Sequence, residues 1–256
     1  MINRLKKKLQ GNRLTIGSWI TLGDTSVAEI MADAGFEWLV IDMEHSVIDY
    51  GLCQNLISVI ESKKCVPLVR VGANDPLIIK RVMDAGAYGV IVPMVNNRDD
   101  AEKAVKSVKY PPIGTRGVGL YRAQGYGTRF TEYAKFINSN SIVIVQIEHI
   151  EAVENLEEIL GVEGIDGCII GPYDLSGSMG IPGKFNHPKM KKNIVKIESV
   201  CKRMKKVLGM HIIKPDIKEA IIKIKRGYSF IAFSLDFYFL GESCRNHLKE
   251  LRKSYN

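Results

Sequence analysis

In the stretch VIDMEHSVIDYG (residues 40–51) an apolar run ends in Asp42, and Glu44 and His45 follow within three residues. Two carboxylates and an imidazole at the end of a buried strand are the parts of a proton-transfer site. Histidine accepts or delivers a proton near neutral pH when a carboxylate orients it. Comparable groups close other apolar runs: Arg70 in PLVRV, Gln146 and Glu148 in SIVIVQIE, and Asp174 just after DGCIIG. Hard dications are commonly held by one or two carboxylates with positions left for water and substrate oxygens, so Glu148 and Asp174 are the candidate metal ligands. The structural alternative is a glutamate paired with a basic side chain and an aspartate capping the turn GPYDLSGS. Arg70 would be costly to bury without an anion; its fork suits an enolate or carboxylate oxygen, and a salt bridge to a neighbouring strand is the other use for it. His149 adjoins Glu148, but strand alternation turns it to the opposite face and makes it structural.

These residues need elements that bring them together. Eight short β-branched runs, LTIGSWI, WLVID, VPLVRV, YGVIVP, SIVIVQIE, DGCIIG, VLGMHII and SFIAFS, alternate with helical patterns. The helices are expected at 26–34, 52–61, 76–85, 99–108, 152–160, 190–205 and 217–225, with a last one from about 237 to 252. Continuous apolar strands imply a sheet covered on both faces, and strict alternation implies parallel pairing through crossovers. Eight such units predict an α/β fold of the TIM (β/α)8 type, a single domain over residues 1–256. The alternative, an open doubly wound sheet, lacks the glycine spacing of a dinucleotide fold in LTIGSWITLGDTS. In such a barrel, groups just beyond the carboxyl ends of strands share one mouth. No lysine lies inside DGCIIG and Lys214 falls past the seventh strand, so a Schiff-base mechanism has no candidate and a metal ion is the more economical electron sink.

Composition narrows the classes further. The formal charge is +8, yet the basic residues are diffuse. In the densest part, HPKMKKNIVKIESVCKRMKKVLG, Ile194, Val195, Ile197, Val200 and Met204 recur at helical intervals between lysines, as in a helix with one buried and one solvated face. That argues against a nucleic-acid partner. No apolar stretch approaches the roughly 20 residues of a membrane span, and MINRLKKKLQ is an amphipathic basic turn without the apolar run of a secretion signal. Cys53, Cys65, Cys168, Cys201 and Cys244 lie far apart, as reduced core thiols would. A cytoplasmic protein is expected.

Taken together, GFEWLVIDMEHS, PLVRVGANDPLIIKRVMDAGAYGVIVPMV, YPPIGTRGVG, VIVQIEHIEAVENLEEIL and VEGIDGCIIGPYDLSGSMGIPG resemble the HpcH/HpaI aldolases, and the resemblance spans almost the whole chain. It implies a class II pyruvate aldolase. A divalent cation (Mg²⁺, Mn²⁺ or Co²⁺) would be held by Glu148 and Asp174 and chelated by pyruvate. Arg70 would steady the enolate, Gln146 and the backbone around Tyr173 would hold the pyruvate moiety, and His45 would transfer protons. The resemblance gives His45 a carboxylate partner at Asp84 in RVMDAG; Asp42 is the local alternative. Asp84 falls near the end of a helix that runs away from the mouth; a neighbouring subunit could also supply that contact, and the family implies a homohexamer in which the C-terminal helix packs. Tyr173 stands where relatives often carry a small residue.

The family also holds acyl-CoA lyases related to citrate lyase, whose adenine-nucleotide site has no counterpart here. A non-catalytic binding barrel is a third reading, opposed by the intact His45, Arg70, Glu148 and Asp174. The aldehyde partner is not specified. The segment GLYRAQGYGTRFTEYAKF, with Tyr121, Arg122, Tyr126 and Arg129, is expected to fold over the mouth as a lid or to serve as a subunit-packing loop, and a lid of that chemistry would suit an anionic or polyhydroxylated tail.

Overall fold

In the computed structural model, which describes residues 3–255, eight parallel strands close into a barrel in sequence order. They are β1 (Thr15–Ile20), β2 (Trp38–Asp42), β3 (Val66–Arg70), β4 (Gly89–Val92), β5 (Ile142–Ile147), β6 (Gly167–Ile170), β7 (Val207–Ile212) and β8 (Phe230–Leu235). Closure runs through Thr15 beside Phe230 and Ile16 beside Ile231. The barrel expected from strand–helix alternation is therefore the fold, and the open-sheet alternative is excluded.

Alternation along each strand divides the core in two. Inward residues such as Trp19, Trp38, Val40, Leu68, Ile91, Ile144, Ile169 and Phe230 fill the barrel, while Ile41, Val69, Val90, Val145, Ile170 and Met210 face the helical layer. Deep in the barrel the Trp38 and Phe230 rings stack at 3.9 Å, 3° from parallel. Gly17 makes room for them: a Cβ there would lie 2.1 Å from the Trp38 ring.

Twelve helices surround the described barrel: α1 (Arg4–Gln10), α2 (Thr25–Asp33), α3 (Tyr50–Ser62), α4 (Pro76–Ala85), α5 (Arg98–Val108), α6 (Phe130–Asn140), α7 (Ile150–Glu154), α8 (Leu156–Gly161), α9 (Pro172–Ser178), α10 (Pro188–Met204), α11 (Ile217–Lys225) and α12 (Asp236–Ser254). Their starts follow capping rules. Asp75 accepts the Leu77 and Ile78 amides ahead of Pro76, and Asp24 and Asp216 act alike for α2 and α11. The single helix expected over 152–160 is split at Asn155, whose Nδ2 donates to the Asn96 carbonyl at 2.9 Å. In α10, Ile197 and Val200 are buried and the lysines point outward, except that Val195 is exposed. No helix among the described residues is long and apolar enough to cross a membrane.

Two segments depart from expectation. The opening basic stretch is a helix that closes the barrel floor: Leu5 and Leu9, one turn apart, join the interior cluster. Lys6 Nζ donates to Asp166 (2.6 Å) and to the Ser141 carbonyl (2.8 Å), fastening that floor to the starts of β5 and β6.

The second departure is the segment at 119–136, which does not cover this chain's own mouth. α5 ends and β5 begins at the amino-terminal end of the barrel, and the residues between them stay there. Arg122 pairs with Glu61 at the end of α3 and donates to the Ala85 carbonyl at the end of α4. The hydroxyl of Tyr133 reaches the Met83 carbonyl.

Candidate active site

The inward positions at the carboxyl ends of the strands carry Trp19, Asp42, Arg70, Gln146 and His211. They line a cavity of about 370 Å³ together with His45, Gly171, Tyr173, Asp174, Ile213, Leu235 and Phe237. All but two of the sequence-derived candidates therefore meet at one mouth. Glu148 adjoins it through Gln146 and Gly171, and Asp84 lies elsewhere.

Asp42 and Arg70 are register neighbours on β2 and β3. Arg70 Nε and Nη2 bond the two Asp42 oxygens at 2.9 and 2.6 Å, a fork-to-fork pair. The same Oδ1 accepts the Glu44 and His45 amides, so Asp42 shapes the loop that presents His45. Burial alone would lift the Asp42 pKa; Arg70 and those amides outweigh it and hold the carboxyl below its ordinary value. Glu44 is the opposite case: burial first, then Glu148 and Asp42, push it up against the pull of Arg70. Its Oε2 lies 3.2 Å from Arg70 Nη1 yet has no hydrogen bond.

Glu148 is 4% exposed. Its Oε1 accepts the Met94 amide at 2.7 Å and its Oε2 accepts Gln146 Nε2. Burial, augmented by Asp174, raises its pKa against those donors. Gly171 is pressed against it, since a Cβ there would sit 2.9 Å from Glu148 Cβ and 3.2 Å from Oε2. Asp174 stands in the first turn of α9 on the exposed side. Among the described residues no cluster of three or more His, Cys, Asp or Glu is poised around an ion. A buried carboxylate of raised pKa, with a second carboxylate nearby on the open cavity, suits a hard dication that keeps positions for substrate oxygens, so the residues present fit such an ion.

Neither proposed carboxylate partner reaches the His45 ring. Asp42 is committed to Arg70 and backbone amides, and Asp84 pairs with Arg116 at the far end of α4. The nearest carboxylate to the ring is Glu44, 3.9 Å from Nε2. This corrects the expectation within one chain, and its cause is direction: the helix after β3 carries Asp84 away from the mouth. His149 caps α7 by accepting the Glu151 amide at 3.3 Å, and Lys214 is exposed beyond β7. Tyr173 is 59% exposed, its ring edge-on to Phe185 at 4.8 Å on the cavity rim.

Sequence reasoning missed His211 and Trp19, whose rings stack at 4.7 Å, 13° from parallel. It also missed Ser234 (φ 57°), whose carbonyl meets His211 Nε2 at 3.1 Å, and Asp236, which accepts the Thr21 and Leu22 amides and ties β8 to the end of β1. Counting two residues back from the end of the seventh run would have placed His211 inward.

Comparison with known proteins bears on this arrangement. The family model for HpcH/HpaI aldolase/citrate lyase matches residues 15–241. The chain belongs to that family. It is 39% identical over 242 residues to a pyruvate aldolase of Rhizobium etli, covering 93% of each chain. It is 37% identical over 245 residues to a 4-hydroxy-2-oxo-heptane-1,7-dioate aldolase of Escherichia coli, covering 95% of this chain and 92% of that one. An HpcH/HpaI aldolase/citrate lyase family protein from Burkholderia cenocepacia J2315 superimposes with a TM-score of 0.92 at 34% identity, over 98% of this chain and 99% of that one. The resemblance stated from the motifs is thus confirmed at the level of family, fold and enzyme class: this is an aldolase-family carbon–carbon lyase.

Proposed function

We propose that this HpcH/HpaI family member is a divalent-metal-dependent aldolase that reversibly splits a 4-hydroxy-2-oxo acid into pyruvate and an aldehyde. The observation that carries the reading is the pairing of Glu148 and Asp174 with the Arg70 fork at one mouth, with Gly171 leaving backbone room above Glu148. Glu148 and Asp174 would hold the cation, with Mg²⁺, Mn²⁺ and Co²⁺ as the candidates. When bound, the cation supplies Lewis-acid stabilisation of the negative charge that develops on the keto oxygen.

The chain's own residues do the rest. Arg70 spends two of its five N–H groups on Asp42 and has others to offer a pyruvate oxygen, so Asp42 positions the guanidinium rather than taking protons itself. Gln146, held by Glu148, directs its amide beside the Gly171–Tyr173 backbone, where the pyruvate carboxylate would lie. His45 is well exposed on the rim, suited to take the proton from the C4 hydroxyl in cleavage and to return it in addition. Its partner within the chain is Glu44; a pairing with Asp84 is available only between copies.

The reading includes a cytoplasmic homohexamer. α12 supports the assembly, because Leu240, Leu248 and Leu251 are exposed along it and would be covered by another copy. The test needs no knowledge of the aldehyde: proton exchange at the pyruvate methyl group in D₂O, followed by NMR with metal supplied and then chelated. Metal-dependent exchange is expected, and folded, metal-supplied protein that gives none would overturn the proposal.

A further inference from the structure

The mouth has a wall that the pyruvate chemistry does not use. Trp19 on β1 and His211 on β7 flank β8, across the barrel from β4 and β5, the side from which Met94 and Glu148 approach. Their rings stack, and Arg70 Cζ lies 5.3 Å from the Trp19 ring.

The hydrogen-bonding state of this pair follows from its partners. His211 Nε2 faces the Ser234 carbonyl at 3.1 Å, and a carbonyl only accepts, so Nε2 carries the proton. Nδ1 then presents a lone pair and has no partner among the described residues. Ser234 is itself held in place. It sits at φ 57°, its carbonyl also accepts the Ser18 hydroxyl at 2.9 Å, and its own hydroxyl donates to the Ile213 carbonyl at 2.9 Å. Burial, with Arg70 nearby, pushes the His211 pKa down to about 4, so the ring stays neutral at working pH. Trp19 is 2% exposed, and its Nε1–H has no hydrogen-bond partner. The indole N–H is closed to the cavity, so the neutral acceptor Nδ1 is the polar atom that the stacked pair offers there.

We propose that His211, backed by the Trp19 ring, forms a subsite for a hydroxyl group on the aldehyde half of the substrate, making hydroxyaldehydes the preferred acceptors. This rests on the aldolase reading above and names its second substrate. A hydroxyl donates to the imidazole lone pair, whereas an alkyl group cannot. A carboxylate only accepts, so it meets the Nδ1 lone pair unfavourably. The remaining wall residues on this side, Ile213, Leu235 and Phe237, are apolar, and the Arg70 guanidinium, braced by Asp42, is assigned to the pyruvate half. Among the described residues this wall holds no further Lys or Arg for a distal carboxylate.

The experiment compares aldol addition of pyruvate to lactaldehyde and to propanal, which differ by one hydroxyl, with succinic semialdehyde as the anionic acceptor. In the wild type, kcat/KM should favour lactaldehyde over propanal by roughly three- to tenfold, the range of one net hydrogen bond. Succinic semialdehyde should rank below lactaldehyde. His211→Phe keeps a ring on Trp19 without an acceptor, and should bring the lactaldehyde-to-propanal ratio toward one; His211→Leu serves the same purpose if the phenyl ring does not fold. A wild-type ratio near one, a ratio unchanged in both variants, or a preference for the anionic acceptor would each overturn the subsite. Pyruvate methyl exchange in the wild type separates the two claims. Exchange without hydroxyl preference removes the subsite and leaves the aldolase standing, while absence of exchange removes both.

Discussion

The Met94 amide donates to Glu148 Oε1 at 2.7 Å from a backbone in the left-handed region, φ 51°. A non-glycine residue in that conformation persists only where its surroundings hold it, and here it aims a donor at the buried carboxylate. With Gln146 on the other oxygen, the carboxylate is oriented before any ion arrives. Glu148→Gln keeps the shape and removes the charge. The variant should fold with a metal-free Tm no lower than wild type by more than about 3 °C, because a charge that is costly to bury has gone. It should lose the metal-dependent rise in Tm, worth about 2.7 kcal/mol to wild type at a hundred times Kd. Thermal melts across an Mg²⁺ or Mn²⁺ titration read both, and an undiminished metal response would take Glu148 out of the metal site.

Arg70 has a structural duty as well as a chemical one. Its removal leaves Asp42, 2% exposed, and Glu44 without their cation, so Arg70→Ala should cost about 3–5 kcal/mol in urea denaturation. The pH dependence follows from Asp42, whose pKa is depressed in the fold. The stability it contributes is present above the unfolded value of 3.8 and is lost as pH falls through the folded value. Enough Arg70→Ala protein should remain folded in the cold at neutral pH for exchange measurements. Pyruvate enolisation should fall far more than metal affinity; an enolisation rate equal to wild type would refute the assignment.

Asp84 answers to Arg116, whose side chain is fully enclosed. Asp84→Ala strands that guanidinium and should destabilise the chain by about 3–5 kcal/mol. Asp84→Asn, which keeps a hydrogen-bond acceptor, should recover part of the loss. Equal stability of wild type and both variants would contradict the pairing seen within the chain.

His211 predicts a pH signature. The unfolded imidazole titrates near 6.5, while the folded one is pushed down to about 4. As pH falls below 6.5 the unfolded chain takes up a proton that the folded chain declines, so stability drops through that window and the full cost is reached below pH 4. The difference amounts to about 3 kcal/mol. His211→Phe lacks it and should lose that much less stability than wild type between about pH 7 and 4, measured by urea denaturation at matched pH. Parallel profiles would mean that the ring is not buried as described.

How much of this is legible in the sequence depends on whether the signal is local. Strand alternation and length are local, so all eight strands and the inward placement of Asp42, Arg70 and Gln146 can be read. Pro76 and Asp75 likewise mark the start of α4. The floor helix cannot be seen in its basic residues, because Leu5 and Leu9 acquire meaning only against a barrel interior. The segment at 119–136 looks like a lid from its arginines and tyrosines. What fixes its place is connectivity, since it joins two elements that meet at the same end of the barrel. His211 is hidden by its neighbours: in VLGMHII it looks like an interruption of an apolar strand, and only the Ser234 carbonyl and the Trp19 ring give it a purpose.

The floor helix has one more consequence. With Leu5 and Leu9 filling the bottom, the barrel is a blind well, and everything that enters must leave by the same opening. Trp19, Arg70, Gln146 and His211, the inward residues at the carboxyl ends of the odd-numbered strands, all line that one opening. Whatever binds there is therefore met from a single side. A floor built from two leucines thereby leaves the opposite end of the barrel as its entrance.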